Sequence, residues 1–346
     1  MTGPLQTLFG TELPIVQAPM AGVQGSALAI AVSNAGALGS LPCAMLTPDA
    51  LRAELATLKA GTSRPFNLNF FCHEPPVPDA MREAAWREAL APYCREFGLD
   101  AGAATAGPAR KPFGDALADA VEGSAPAVVS FHFGLPSAAL LQRVRGWGAK
   151  VLASATSVDE ALWLEAHGVD AVIAQGLEAG GHRGHFLADD LTLQMGTFAL
   201  LPQLVRAVRV PVIAAGGIAD VRGVAAALAL GASAVQVGTA YLLADEATTN
   251  AAHRAALKSD AARHTALTRL FTGRPARGIV NRLMRELAAL EATAPAFPGA
   301  GAALGPLRAA AERQGSGDFS PLWSGQNAGG CREAPAADIT RALAGV

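Results

Sequence analysis

Eight short apolar runs, most of them followed by a segment of helical pattern, constrain this chain more than any other feature. They fall at residues 14–18, 37–41, 66–71, 127–133, 150–155, 171–175, 210–215 and 234–238. The runs are continuously apolar and do not alternate, as in parallel strands buried on both faces. A repeated strand–helix unit folds either as an open doubly wound sheet or as a closed barrel. The count of eight predicts an α/β fold of the (β/α)8 TIM barrel type. No G-x-G-x-x-G follows any run; the nearest stretch, Gly299 through Leu304, ends in leucine, which weakens the dinucleotide-binding open sheet. Helix starts are legible as well. Thr47 precedes Pro48, Ser157 stands three residues before Glu160 with capping-box spacing, and Ser137 and Asp220 open two further helices.

Two segments lie outside the repeat, and they set the organisation. Residues 1–74 and 124–245 form the barrel, 75–123 a helical insertion, and 246–346 a mainly helical C-terminal lid region. The insertion is read as a helix over 79–96, a Gly/Ala loop and a second helical piece over 113–121. Active-site loops of this fold lie at the C-terminal ends of the strands, so the insertion and the C-terminal third are expected together over the barrel mouth. The apolar C-terminal helices fit a lid, a homodimer surface or both.

Composition excludes several classes of function. The chain has 346 residues, 51% of them hydrophobic and 16% charged, enough for a sizeable core. With 27 basic and 29 acidic residues there is no cationic excess for a phosphate backbone, and 5% aromatic content is thin for base stacking. Nucleic acid is therefore not an expected partner. Cys43, Cys72, Cys94 and Cys331 are widely spaced without a C-x-x-C pair, as in reduced thiols of a cytoplasmic protein and unlike a zinc site. Residues 1–10 show neither a basic n-region nor an apolar h-region. The uncharged stretch between Arg222 and Asp245 is broken by glycines and polar residues, so a helix, a turn and a strand are expected there, not a membrane span.

Three constellations carry chemistry. The seventh run ends Ala215-Gly216-Gly217-Ile218 and the eighth Gln236-Val237-Gly238-Thr239. The loops after the last two barrel strands are the usual phosphate site, where glycines bring main-chain N–H groups close, helix N-termini add positive charge and Thr239 adds a hydroxyl. Either loop alone is also an ordinary tight turn. After the sixth run stands Gln175-Gly176-Leu177-Glu178-Ala179-Gly180-Gly181-His182-Arg183-Gly184-His185. Gln175 offers an amide to a ligand, Gly180-Gly181 lets the backbone pass near a flat ligand, and His182 has the pKa range to take a proton from carbon. Arg183 is expected to pair with an acid or orient the loop, and His185 to be solvated. In the third run, period two puts Asn67 and Asn69 on one face, where buried amides need partners. His132 is either a pocket residue or a bonded core histidine.

These segments, with Gln17-Ala18-Pro19-Met20-Ala21-Gly22, residues 34–40, 271–281 and 318–326, make the chain resemble the nitronate monooxygenases, formerly 2-nitropropane dioxygenases, of class I. The resemblance implies a flavoprotein barrel with FMN bound non-covalently. Its reaction would be oxidation of alkyl nitronates, such as propionate 3-nitronate, with O2 to a carbonyl compound and nitrite. It implies His182 as the catalytic residue, FMN contacts from Met20, Asn69, Gln175, Gly180 and Gly217, and a phosphate end held by Gln236, Val237, Gly238 and Thr239. One departure is Phe297-Pro298, where the family pattern leads one to expect Tyr-Pro. An NAD(P)H-dependent quinone or enoyl reductase on the same barrel is the alternative; a flavin-free phosphosugar isomerase or lyase and a non-catalytic flavin-binding module are further ones.

Overall fold

The computed structural model describes residues 4–100 and 110–346; the expected Gly/Ala loop lies outside the described residues. The barrel strands are β1 (Ile15–Gln17), β2 (Gly39–Pro42), β3 (Phe66–Phe71), β4 (Val128–His132), β5 (Lys150–Ala155) and β6 (Ala171–Gln175). After the short β7 (Gly181–His182), which stands apart, come β8 (Val212–Ala215) and β9 (Ala234–Val237). The eight pair in parallel in the order β1-β9-β8-β6-β5-β4-β3-β2. A parallel bridge between Val16 and Leu38 closes the ring, giving the (β/α)8 TIM barrel. Strand bounds shift where the backbone requires it. β8 begins two residues into the apolar run, because Pro211 has no N–H for the ladder. β2 begins at Gly39, where a side chain would strike the Ala29 carbonyl.

The helix starts form as capped ends. Thr47 accepts from Ala50 N at 3.2 Å, and Asp220 from Gly223 N at 2.8 Å. Ser157 accepts from Glu160 N at 3.3 Å, but the box closes on one side only. The Glu160 carboxylate instead accepts from Thr156 N at 2.7 Å and Phe186 N at 2.6 Å, tying the loop after β6 to the barrel rim. The uncharged stretch divides into the helix Val221–Ala229, β9 and a single 3-10 turn, Thr239–Tyr241. No helix among the described residues is long and apolar enough to cross a membrane. All four cysteines are free.

Beside the barrel core lies a second core. The insertion helix Ala80–Glu96 buries Trp86, Leu90 and Cys94 against Leu270, Leu283, Leu304 and Leu307 of the C-terminal region. Trp86 donates its indole N–H to Ala300 O at 3.1 Å, so the polar end of this wholly buried ring is satisfied. The C-terminal region, read from its sequence as mainly helical, also contributes a sheet. β10 (Thr265–Thr268) and β11 (Ala276–Ile279) pair antiparallel, and β11 takes up β7, with Ala276 opposite His182 and Arg277 opposite Gly181.

Candidate active site

The strand order brings the C-terminal ends of β3, β4, β6, β8 and β9 to one cavity, with residues 323–327 laid across it. On one side lie the glycine loops. Gly216 and Gly217 adopt φ of +120° and +72°, which side chains rarely take. Gly180 permits a closer approach still, since a Cβ there would lie 2.5 Å from Gly325 N. Gly325 N donates to Thr239 Oγ1 at 2.9 Å, leaving the Thr239 hydroxyl proton to donate elsewhere. Asn327 Nδ2 donates to Gly217 O at 3.0 Å. Gln236 lines the cavity, and its Oε1 is buried without a hydrogen-bond partner among the described residues.

The loop carrying His182 is held from below by barrel side chains. Gln175 Nε2 donates to His182 O at 2.9 Å, and its Oε1 accepts from Gly184 N at 2.8 Å. The Gln175 amide, expected to meet a ligand, lines the cavity but bonds this loop at both ends. His132 Nε2 lies 3.2 Å from the same His182 carbonyl, and Nδ1 lies 3.0 Å from Ser154 Oγ. A carbonyl only accepts, so Nε2 carries the proton and Nδ1 accepts from the serine. Burial pushes the His132 pKa down to about 3, so it stays neutral. It is both a cavity residue and a bonded histidine. Wholly buried Arg183 donates to Gly176 O at 2.7 Å, Gln175 O at 2.8 Å and Gln194 Oε1 at 2.8 Å. It orients the loop, and among the described residues no carboxylate forms an ion pair with it. Glu178 accepts twice from Thr197 N, at 2.9 and 2.8 Å, and once from Thr197 Oγ1 at 2.8 Å, capping the helix Thr197–Ala207.

The His182 ring stands among aromatic rings. Centroid distances are 5.3 Å to Phe297, 5.7 Å to Trp323, 6.0 Å to Phe133 and 6.1 Å to Phe71. Its Nε2 lies 2.9 Å from Thr272 Oγ1. Desolvation first, then the positive charge of Arg110, lowers its pKa well below the usual 6.5. The ring is neutral near pH 7 with a lone pair on one nitrogen.

The structure gathers Met20, Asn69, Gln175, Gly180, His182, Gly217, Gln236, Gly238 and Thr239 at this cavity. Met20 is placed by Gln24, whose Oε1 accepts from Met20 N at 3.0 Å. Asn69 Nδ2 donates to Ser130 Oγ at 2.9 Å, and Asn67, deeper in the barrel, bridges Ser40 Oγ at 3.0 Å and Ser130 Oγ at 2.9 Å. Val237 is the exception. It follows inward Gln236 by one residue, so its side chain faces the apolar core, and its carbonyl accepts from Ala18 N at 2.8 Å. Two other expectations change. His185 is buried, not solvated, under Arg274, which donates to its carbonyl. The expected pair of open helix N-termini also fails to appear: Asp220 caps its own helix, and only a 3-10 turn follows Gly238. Thr272, Trp323 and Gly325 join the site without a local signal of their role, although each lies in a segment that carries the resemblance. Arg110 and Asn327 carry no signal at all, since neither stands next to a barrel strand.

Comparison with known proteins agrees with this architecture. The family model described as nitronate monooxygenase matches residues 3–344. A nitronate monooxygenase of Pseudomonas aeruginosa is 44% identical over 345 residues, covering 99% of this chain and 98% of its own. One of Paraburkholderia phytofirmans is 44% identical over 341 residues, covering 98% and 93%. The solved structure of a nitroalkane oxidase from Streptomyces ansochromogenes superposes with a TM-score of 0.89 at 40% identity, covering 99% of this chain and 96% of that one. A match spanning nearly every residue, on a barrel whose cavity gathers the residues the motifs single out, shows that the chain belongs to the nitronate monooxygenase family of oxidoreductases.

Proposed function

We propose that this chain is an FMN-dependent nitronate monooxygenase of the cytoplasm, oxidising alkyl nitronates such as propionate 3-nitronate with O2 to the carbonyl compound and nitrite. The observation that carries this reading is one cavity joining two features. One is a glycine cradle beside an unpartnered, buried Gln236 Oε1; the other is a neutral histidine walled by aromatic rings. The residues fit a flavin mononucleotide. Gln236 Oε1 needs a donor, which an imide N–H supplies. Gly217, Gly238 and the Thr239 hydroxyl suit a phosphate, Met20 an extended ring face, and Asn69, Gln175 and Gly180 the remaining edge. Val237 would contribute through its main chain. When bound, FMN supplies the two-electron acceptor and the centre that O2 reoxidises.

His182 sets what the site does with protons. Being neutral, it can accept a proton from the carbon next to a nitro group. A strongly depressed pKa also makes it a weak base, so a substrate already ionised as the nitronate is the easier one. Toward that anion His182 acts as a hydrogen-bonding partner. Protonation removes the acceptor, and the folded-state pKa is lowered, so the acid limb for a neutral nitroalkane moves to lower pH. Its kcat/KM should hold a plateau below pH 6.5 and fall only at an apparent pKa well under that value.

Oxygen uptake by FMN-loaded protein tests the reading. Rapid uptake with propionate 3-nitronate and none above background with NADH is expected. Flavin bleaching by NADH under anaerobic conditions, with no uptake on nitronate, would instead make the chain a pyridine-nucleotide reductase. His182→Asn should lower turnover of a neutral nitroalkane by about 100-fold or more, the usual contribution of a general base. Undiminished turnover would remove His182 from that role.

A further inference from the structure

Among the described residues lining the cavity, Arg110 is the one whose side chain is charged at neutral pH; no aspartate or glutamate lines it. The Arg110 guanidinium lies 6.0 Å from the centroid of Phe297, whose ring in turn lies 5.3 Å from that of His182. It lines the same cavity as the glycine loops, and its charge reaches the His182 ring. No carboxylate among the described residues pairs with it; the charged side chain that bears on it is Arg308, another cation. Residues 101–109, which precede it, contain no Asp or Glu. A partly dehydrated cation facing a cavity without a counter-charge is costly unless a ligand brings the anion.

We propose that Arg110 is the specificity-determining residue of this cavity, binding an anionic group at the end of the substrate remote from the reacting carbon, so that carboxylate-bearing nitronates are selected over plain alkyl nitronates. The geometry supports a division of labour. His182, Thr272 and the Gln175-held loop stand at the reacting end, and Arg110 lines the same cavity over the Phe297 ring. Phe297 has no hydroxyl to take part in this recognition, which leaves the polar work on that wall to the guanidinium. Arg274, the other cation near His182, stacks over Phe133 at 4.1 Å and donates to His185 O, so it is already engaged.

The inference rests on the nitronate reading, and its test separates the two. Wild type, Arg110→Gln and Arg110→Lys would be assayed with propionate 3-nitronate, a dianion, and ethyl nitronate, a monoanion. Loss of a charge-assisted contact predicts that Arg110→Gln lowers kcat/KM for the dianion about 10- to 100-fold, through KM, while ethyl nitronate changes less than about 3-fold. Arg110→Lys, which keeps the charge, should recover most of the loss. Equal losses on both substrates, or none on either, overturn the assignment. A wild type that oxidises neither nitronate refutes the functional reading instead. The anchor is then read without turnover, by tryptophan fluorescence during titration with 3-nitropropionate. Binding weakened about tenfold or more in Arg110→Gln upholds the assignment, and unchanged binding overturns it.

Discussion

Gln175 and Trp323 face the same cavity, yet they arrive there by different means. Gln175 ends β6, a strand in register with neighbours on both sides, and its amide grips a loop that begins at the next residue. Trp323 comes from far down the chain. It is held by a carbonyl contact to His253 at 3.1 Å, by an edge-on ring contact to Phe271 and by a bridge to Gly278. The barrel side is polar and bonded: Asn69, His132 and Gln175 each have partners nearby. The cap side around the His182 ring is mostly apolar, with Phe297 and Trp323 against it, Thr272 as its hydrogen-bond contact and the Arg110 charge nearby. The barrel therefore positions the main chain, and the cap sets the dielectric around His182 and hence its protonation. Chemistry and fold should respond separately to changes on the two sides.

The largest expected effect tests whether the cap has a core of its own. Trp86→Ala removes a fully buried ring and the bond to Ala300, which predicts a loss of about 3–5 kcal/mol. Limited proteolysis should then cut within the insertion and the C-terminal region while the barrel resists. Cleavage spread evenly over the chain would mean the two cores unfold together. A smaller effect is expected where cap meets barrel. Gly180→Ala places a methyl 2.5 Å from Gly325 N, a main-chain atom that no rotamer change can move. About 1–3 kcal/mol should be lost, and the cap segment near residue 325 should exchange its amide protons faster. Exchange unchanged there would mean that the two backbones need not meet. Smallest is Thr272→Val, which deletes the hydroxyl on His182 Nε2. One such bond is worth about 0.5–1.5 kcal/mol. Turnover should fall up to about tenfold with the melting temperature nearly unchanged, and Thr272→Ser should restore it. A fall in melting temperature without a kinetic change would make Thr272 structural.

What could be read from the residues follows the range of the interactions. The eight strands, the helix starts at Thr47, Ser137, Ser157 and Asp220, and the glycine loops after β6, β8 and β9 depend on neighbours a few positions away. Apolar runs, cap residues and positive-φ glycines record such constraints directly. His182 was legible for the same reason, standing just past a strand end between glycines. The pairing of β7 with β11 was not, because two residues of strand carry no periodicity and their partner lies about ninety residues on. The burial of His185 also escaped, since a polar residue in a glycine-rich loop looks solvated until a distant segment covers it. Even the one-residue difference between Gln236 inside and Val237 outside needed the barrel's closure to show which face is interior. The sequence by itself determined the barrel and the place of its mouth, through local periodicity and turn chemistry. Only the tertiary structure decided which side chains meet His182 over that mouth, because Thr272, Phe297 and Trp323 reach it through long-range packing that no local pattern encodes.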